Sequence, residues 1–107
     1  MPVGRTIDLT VVCPHVPQKY IERAKKDGVW VEWGSYPIYG VYVVVEVEGR
    51  YHVIDAVWDW STMSGDCEMY WGFETPQEAV KYIEHLAGFR VPRKELLELL
   101  RLLASQD

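Results

Sequence analysis

The alternation of apolar and polar positions over residues 39–60 predicts one long β-hairpin that turns at Glu48-Gly49. A two-residue loop there pairs Val47 with Arg50, and successive side chains point to opposite sides of a strand, so the hairpin has two distinct faces. The first face is almost entirely apolar and carries Val41, Val43, Val45, Ile54, Ala56, Trp58 and Trp60. The second face is mixed and carries Tyr42, Val44, Glu46, Tyr51, Val53, Asp55, Val57 and Asp59.

Three further segments alternate in the same way and predict additional strands. They are Thr6–Cys13, Val29–Trp33 and Cys67–Phe73. In the first segment, one side of the predicted strand carries Ile7, Leu9, Val11 and Cys13. A helix is predicted between the first two of these strands, opened by Pro17 and ended by Gly28 as a left-handed cap.

Two helices are predicted after the last strand. Thr75-Pro76-Gln77-Glu78 is a capping box with proline at the first helical position, and this helix ends at Gly88. Pro92 opens the last helix, Arg93–Ala104. The order β-α-β-β-β-β-α-α predicts one α+β domain over residues 1–107, with a mainly antiparallel sheet of about five strands and helices packed on it.

Composition and charge narrow the functional classes. The chain has 107 residues and a formal net charge of −5, which disfavours binding to nucleic acid or to anionic membranes. There is no apolar run long enough to span a bilayer and no signal-peptide pattern, so we expect a cytoplasmic protein. The sequence contains no Asn and many charged residues, a composition that favours a hyperthermophilic, archaeal source.

The second face of the sheet is expected to lack cover. The helices over residues 17–28 and 75–87 are expected to pack on the first face, whereas the second face is extended by Tyr70 and Trp30 from neighbouring strands. Monomeric proteins rarely expose a continuous apolar patch larger than a few hundred Å². We therefore expect the second face to be buried by another element or by another chain.

The last helix, within residues 92–105, is the candidate for this role. Its leucines, except Leu102, fall within an arc of about 160° at 100° per residue, which suits either a cover for the second face or contact with a second chain. The leading hypothesis is a non-catalytic interaction or assembly domain that self-associates as a homodimer or larger oligomer. The predicted interface consists of Tyr42, Val44, Tyr51, Val53, Asp55, Val57, Tyr70, Leu99, Leu102 and Leu103.

The aromatic content supports an alternative. Five Trp and seven Tyr residues favour a module that binds a small ligand or single-stranded nucleic acid on the same aromatic face, since bases stack on such side chains. The chain lacks an evident basic groove, which makes nucleic acid the less favoured partner.

A thiol-dependent enzyme is the second alternative. Cys13-Pro14-His15 stands between a predicted strand and a helix N-terminus, where a thiolate is stabilised. These three residues resemble the start of the Cys-Pro-His-Cys motif of thioredoxin-fold disulfide oxidoreductases, but Val16 occupies the position of the second cysteine. Cys13 also shares its side with apolar residues, which favours a buried, unreactive role. Whether Cys13 and Cys67 are bonded depends on whether their segments are neighbours.

Metal and acid–base chemistry have weaker support. Asp55, Asp59, Asp66 and Glu68 could gather near one end of the hairpin, where paired carboxylates serve proton transfer or Mg²⁺ binding. The favoured interpretation of Asp55 is a hydrogen bond to a tyrosine hydroxyl or a charge that discourages wrong strand pairing. The cysteines and histidines lack the spacing of a metal site, so no metal or cofactor is predicted.

Overall fold

The computed structural model describes residues 7–104, and of residues 102–104 it describes the backbone alone. A four-stranded antiparallel sheet in the order β1-β2-β3-β4 carries helices on both faces, which confirms the α+β class. The elements in chain order are α1 (Leu9–Val12), α2 (Gln18–Asp27), β1 (Val29–Ser35), β2 (Ile38–Val47), β3 (Arg50–Asp59), β4 (Ser64–Phe73), α3 (Pro76–Ala87) and α4 (Arg93–Ala104). Among the described residues, no helix is long and apolar enough to cross a bilayer.

The predicted hairpin is confirmed with its register. Val47 lies opposite Arg50, and the pairing continues outward to Tyr39 and Trp58 without a shift. Glu48 and Gly49 both have positive φ, at 55° and 81°. Positive φ at both central positions defines a type I′ turn, whose twist matches that of the two strands.

The prediction of a fifth strand at Thr6–Cys13 is wrong for residues 7–13; Thr6 lies outside the described residues. From Leu9 to Val12 the chain forms the short helix α1, and the Asp8 carboxylate accepts a hydrogen bond from the Thr10 amide at its start. The buried residues recur at helical spacing as Leu9, Val12, Cys13 and Val16, whereas Val11 is 62% exposed. Both periods fit this segment and each would bury four of its apolar side chains; the structure buries Ile7, Leu9, Val12 and Cys13 against the first face and leaves Val11 exposed.

The first face of the sheet is covered by α1 and α2. Val41, Val43 and Ile54 pack against both helices in one buried cluster. Trp30 belongs to this cluster, and its indole Nε1 donates a hydrogen bond to the Ala24 carbonyl at 2.9 Å. The prediction that Trp30 lies on the second face is therefore wrong. Trp30 pairs with Val43, and directly opposite residues share a face.

The second face is covered in part by α3 and α4. Ala79, Val80 and Ile83 of α3 and Leu99 of α4 form a second buried cluster with the valines and tyrosines of that face. The prediction that the helix over residues 75–87 covers the first face is wrong. The two helical layers lie on opposite sides because α1 and α2 already fill the first face.

The ends of α3 are where the local sequence signals predict them, whereas the end of α2 has a different conformation from the predicted one. At the start of α3, the Thr75 hydroxyl accepts a hydrogen bond from the Glu78 amide at 3.2 Å, and Gly88 ends the helix with φ 76°, both as predicted. Gly28 ends α2 with φ −69° and is extended, so its predicted left-handed conformation is wrong. Gly28 is extended because β1 begins at the next residue and the chain enters the strand directly.

A buried histidine links β3 to β4. His52 is 6% exposed, and its Nδ1 accepts a hydrogen bond from the Gly72 amide at 2.9 Å. Its ring lies edge-on to Tyr20 and Trp71, with centroids 5.1 Å and 5.4 Å away. Burial, together with the nearby Arg50 charge, lowers the pKa of His52 from its usual 6.5.

We expect the free energy of unfolding to fall as the pH drops below about 6.5, because the unfolded chain binds a proton at His52 more readily than the folded chain does. The stabilisation from neutral, buried His52 is fully present above the pKa that His52 has in the unfolded chain. It is lost as the pH falls through the lower pKa that His52 has in the folded chain. Urea titrations between pH 7.5 and pH 5 measure it. The variant His52→Asn retains an acceptor for the Gly72 amide and should have a flatter profile; equal slopes for both proteins would refute the assignment.

Candidate functional site

Helix α4 exposes three of its leucines to solvent. Leu96 is 38% exposed, Leu97 52% and Leu100 53%, whereas Leu99 is 3% exposed and packs on the second face. The side of α4 that faces the domain includes Glu95, whose Oε2 is buried without a hydrogen-bond partner among the described residues. The helix is therefore seated with its leucine-rich side outward, opposite to the arrangement expected for a simple cover.

The exposed leucines border a groove between α3 and α4. Its volume is about 360 Å³, and its lining includes Pro76, Val80, Leu96, Leu99 and Leu100. The connection between the two helices is held in place where the Glu84 carboxylate accepts a hydrogen bond from the Val91 amide at 2.8 Å. Gln77 and Lys81 line the groove as well. We call the exposed leucines and this mainly apolar groove together the α4 surface.

Half of the ten residues of the interface predicted from the sequence are buried within the chain, Leu99 among them. The side chains of Tyr42, Val44, Tyr51 and Val53 are at most 6% exposed beneath α3 and α4. They therefore cannot reach a partner or stack on a base in this conformation. Tyr70 is partly buried beside Tyr82 of α3, with ring centroids 4.9 Å apart. The side chains of Leu102 and Leu103 lie outside the described residues.

The strand pairings arrange the second face in four rows, each crossing the sheet from β1 to β4. From the helix-covered end, the rows are Val29, Val44, Val53 and Tyr70; Val31, Tyr42, Asp55 and Glu68; Trp33, Gly40, Val57 and Asp66; and Ser35, Ile38, Asp59 and Ser64. In the last two rows only Gly40 is buried, under the Trp33 indole. We call these two rows, with Asp55 and Glu68, the bare half of the second face.

The bare half has an apolar side and an acidic side. Trp33 and Ile38 lie on β1 and β2, and Ile38 is 42% exposed. The acidic side lies on β3 and β4, where Asp55 is directly opposite Glu68. Burial raises the pKa of Asp55 above its usual 3.8, and the Glu68 charge raises it further.

The acidic residues of the bare half lie at the surface of the sheet. Asp59 serves the turn after β3, where its carboxylate accepts hydrogen bonds from the Ser61 amide at 2.9 Å and the Ser61 hydroxyl at 2.6 Å. The Ser61 hydroxyl lowers the pKa of Asp59. Within residues 7–104, no group of three or more His, Cys, Asp or Glu side chains is placed to hold a metal ion.

Asp55 lies near two tyrosines, Tyr42 and Tyr70, but it does not form the hydrogen bond to a tyrosine hydroxyl that the sequence analysis favoured. Its charge raises the pKa of both Tyr42 and Tyr70, after the larger effect of burial on each. No hydrogen bond or ion pair to Asp55, Asp66 or Glu68 is formed by any residue of the described chain. Asp55, Asp66 and Glu68 therefore have no compensating partner among the described residues, in contrast to Asp59.

Cys13 is bonded to Cys67, with their Cα atoms 5.3 Å apart. Cys13 is 1% exposed and His15 is exposed, so the structure holds no free thiolate for the enzyme considered from the sequence. Disulfides are typical of oxidising compartments, and of intracellular proteins mainly in hyperthermophiles. The predictions of a cytoplasmic location and a hyperthermophilic source therefore depend on each other.

The sequence predicted the two open surfaces only in part: it placed Asp55 and Val57 on a face without cover and named the last helix as a contact, but its interface did not include the exposed Leu96, Leu97 and Leu100. The α4 surface depends on how the helix is rotated on the sheet, and the bare half depends on how far α3 and α4 extend over it. A sequence signal for the rotation of α4 was present, since Leu99 lies at the edge of the leucine arc nearest to Glu95.

The chain was compared with protein-family models, with curated proteins and with solved structures. It matches none of them.

Proposed function

We propose that this protein is a non-catalytic assembly domain that associates with a second copy of itself through the α4 surface. One observation carries the proposal: Leu96, Leu97 and Leu100 point to solvent while Glu95 is turned toward the sheet. Rotating α4 would bury these leucines and hydrate the carboxylate. In the observed orientation of α4, the cost of exposing these leucines is removed when another surface buries them.

The free energy gained by burying the α4 surface is sufficient for association. Burying a leucine side chain fully is worth about 1.5–3 kcal/mol, so three half-exposed leucines and the adjoining groove can supply several kcal/mol. A two-fold axis makes the contact between two copies reciprocal, and two-fold dimers are the commonest closed assemblies of soluble proteins. The partner in this proposal is a second copy of the chain, in a homodimer.

The variant Leu97→Glu is expected to abolish self-association, because it places a charge within the surface that a partner would bury. Light scattering coupled to size exclusion, over a range of protein concentrations, should give the mass of one chain, 12.4 kDa, for the variant and a larger mass for the parent. The matched control is Val11→Glu, a similar change at a residue 62% exposed on α1, which should leave the mass unchanged.

Two results would contradict the proposal. One is a parent that remains at the mass of one chain at every concentration. The other is a Leu97→Glu variant that associates as the parent does while its circular dichroism shows that it is folded.

A further inference from the structure

The second sheet face has the shape of a step. Helices α3 and α4 form a layer over one end, where Val29, Val44 and Val53 are buried, and they leave the bare half uncovered at the other end. The outward side of this helical layer carries the α4 surface. A raised apolar surface and an open sheet surface therefore lie on the same side of the molecule.

The dimensions of the two surfaces match. A helix of 12 residues is about 18 Å long and about 10 Å wide. Four strands span about 14 Å, and two to three residues along each strand extend about 10 Å. One helix laid across the sheet would cover the bare half.

The charges of the two surfaces are complementary. Helix α4 carries three exposed cationic side chains, Arg93, Lys94 and Arg101; of its two carboxylates, Glu98 is partly buried and Glu95 faces the domain. The bare half carries Asp55, Asp66 and Glu68 without a cationic partner in the described chain. Its apolar side, at Trp33 and Ile38, would receive the leucines, and its acidic side would receive the arginines. Such complementarity fixes the register of a contact and favours one partner over others.

We infer that the bare half is the surface that receives the α4 surface of the second copy, so that two copies interlock about a two-fold axis. The inference rests on the proposed self-association through α4. Two-fold symmetry makes the contact twice, and each copy contributes one helix face and one sheet surface. A contact between the two α4 helices alone would leave the acidic side of the bare half uncompensated.

A charge exchange tests this arrangement. The first variant, Asp66→Lys with Glu68→Lys, makes the bare half basic and leaves α4 unchanged. The second, Arg93→Glu with Arg101→Glu, makes α4 acidic and leaves the bare half unchanged. Each variant alone would place like charges in both contacts of its dimer, and self-association should weaken by at least about tenfold.

Mixing the two variants should restore association. In the mixed dimer, the basic α4 of the first variant meets the acidic bare half of the second, and the acidic α4 of the second meets the basic bare half of the first. Native mass spectrometry of an equimolar mixture distinguishes this heterodimer from either homodimer by mass. Circular dichroism of each variant establishes that it is folded.

The outcomes separate this inference from the proposed function. If Leu97→Glu yields single chains but the lysine variant associates as the parent does, the bare half is not the receiving surface, and contact between the α4 helices replaces it. If both charge variants are folded and dissociated but form no heterodimer, the inference is also overturned. If Leu97→Glu has no effect, the proposed function itself fails.

Discussion

Replacing Cys13 and Cys67 together by alanine is expected to lower the free energy of unfolding by about 4 kcal/mol, the largest change predicted for this protein. The bond joins residues 54 positions apart, and without it the unfolded chain regains the conformational freedom of that loop. Alanine suits both positions, because serine would bury a hydroxyl at Cys13. Urea titration of the parent and the variant under oxidising conditions measures the loss.

Three comparisons test the origin of this loss. The parent in the presence of a reductant should resemble the double variant, because the same bond is absent. Each single variant should lose about as much as the double variant, since either substitution breaks the bond. A loss below about 1 kcal/mol for the double variant would mean that the bond contributes little beyond the packing around it.

The variant Leu99→Ala is expected to lose about 2–4 kcal/mol, because it deletes a side chain that is 3% exposed between α4 and the second face. Leu97→Ala is the matched control on the same helix, at a side chain 52% exposed. In dilute solution, where single chains prevail, Leu97→Ala should change the free energy of unfolding by less than about 0.5 kcal/mol.

Protein concentration adds a second test of the same helix. Association stabilises the folded chain by mass action, so the effect of Leu97→Ala should grow as the concentration rises, whereas that of Leu99→Ala should change less. If Leu97→Ala costs as much as Leu99→Ala in dilute solution, α4 is rotated with its leucine-rich side toward the sheet. The proposed function would then lose its main support.

Local patterns were enough to predict the central part of the fold. The long hairpin followed from alternation on both sides of Glu48-Gly49, because a two-residue loop leaves one register that keeps the apolar residues on one face. The start of α3 followed from the Thr75 capping box for a similar reason, since the hydrogen bond spans only three residues. Interactions this short depend little on the remainder of the chain.

Longer-range choices were not predictable in the same way. The segment before Cys13 fits both the strand period and the helical period, and contact with the first face selected the helix α1. Neither period could show that Cys13 approaches Cys67, because that distance depends on how α1 lies against β4. The assignment of α3 to the second face likewise depended on α1 and α2 filling the first.

The candidate surfaces were likewise predictable in part from the sequence and in part only from the tertiary structure. The sequence by itself determined that the second face would carry Asp55 and Val57 among apolar residues, and that the last helix would be rich in leucine. Tertiary structure alone decided that Tyr42 and Tyr51 are buried, that Leu97 and Leu100 are exposed, and that half of the face stays bare. The physical reason is that periodicity fixes which side chains share a side of an element, while the rotation and reach of that element depend on every surface competing to bury it.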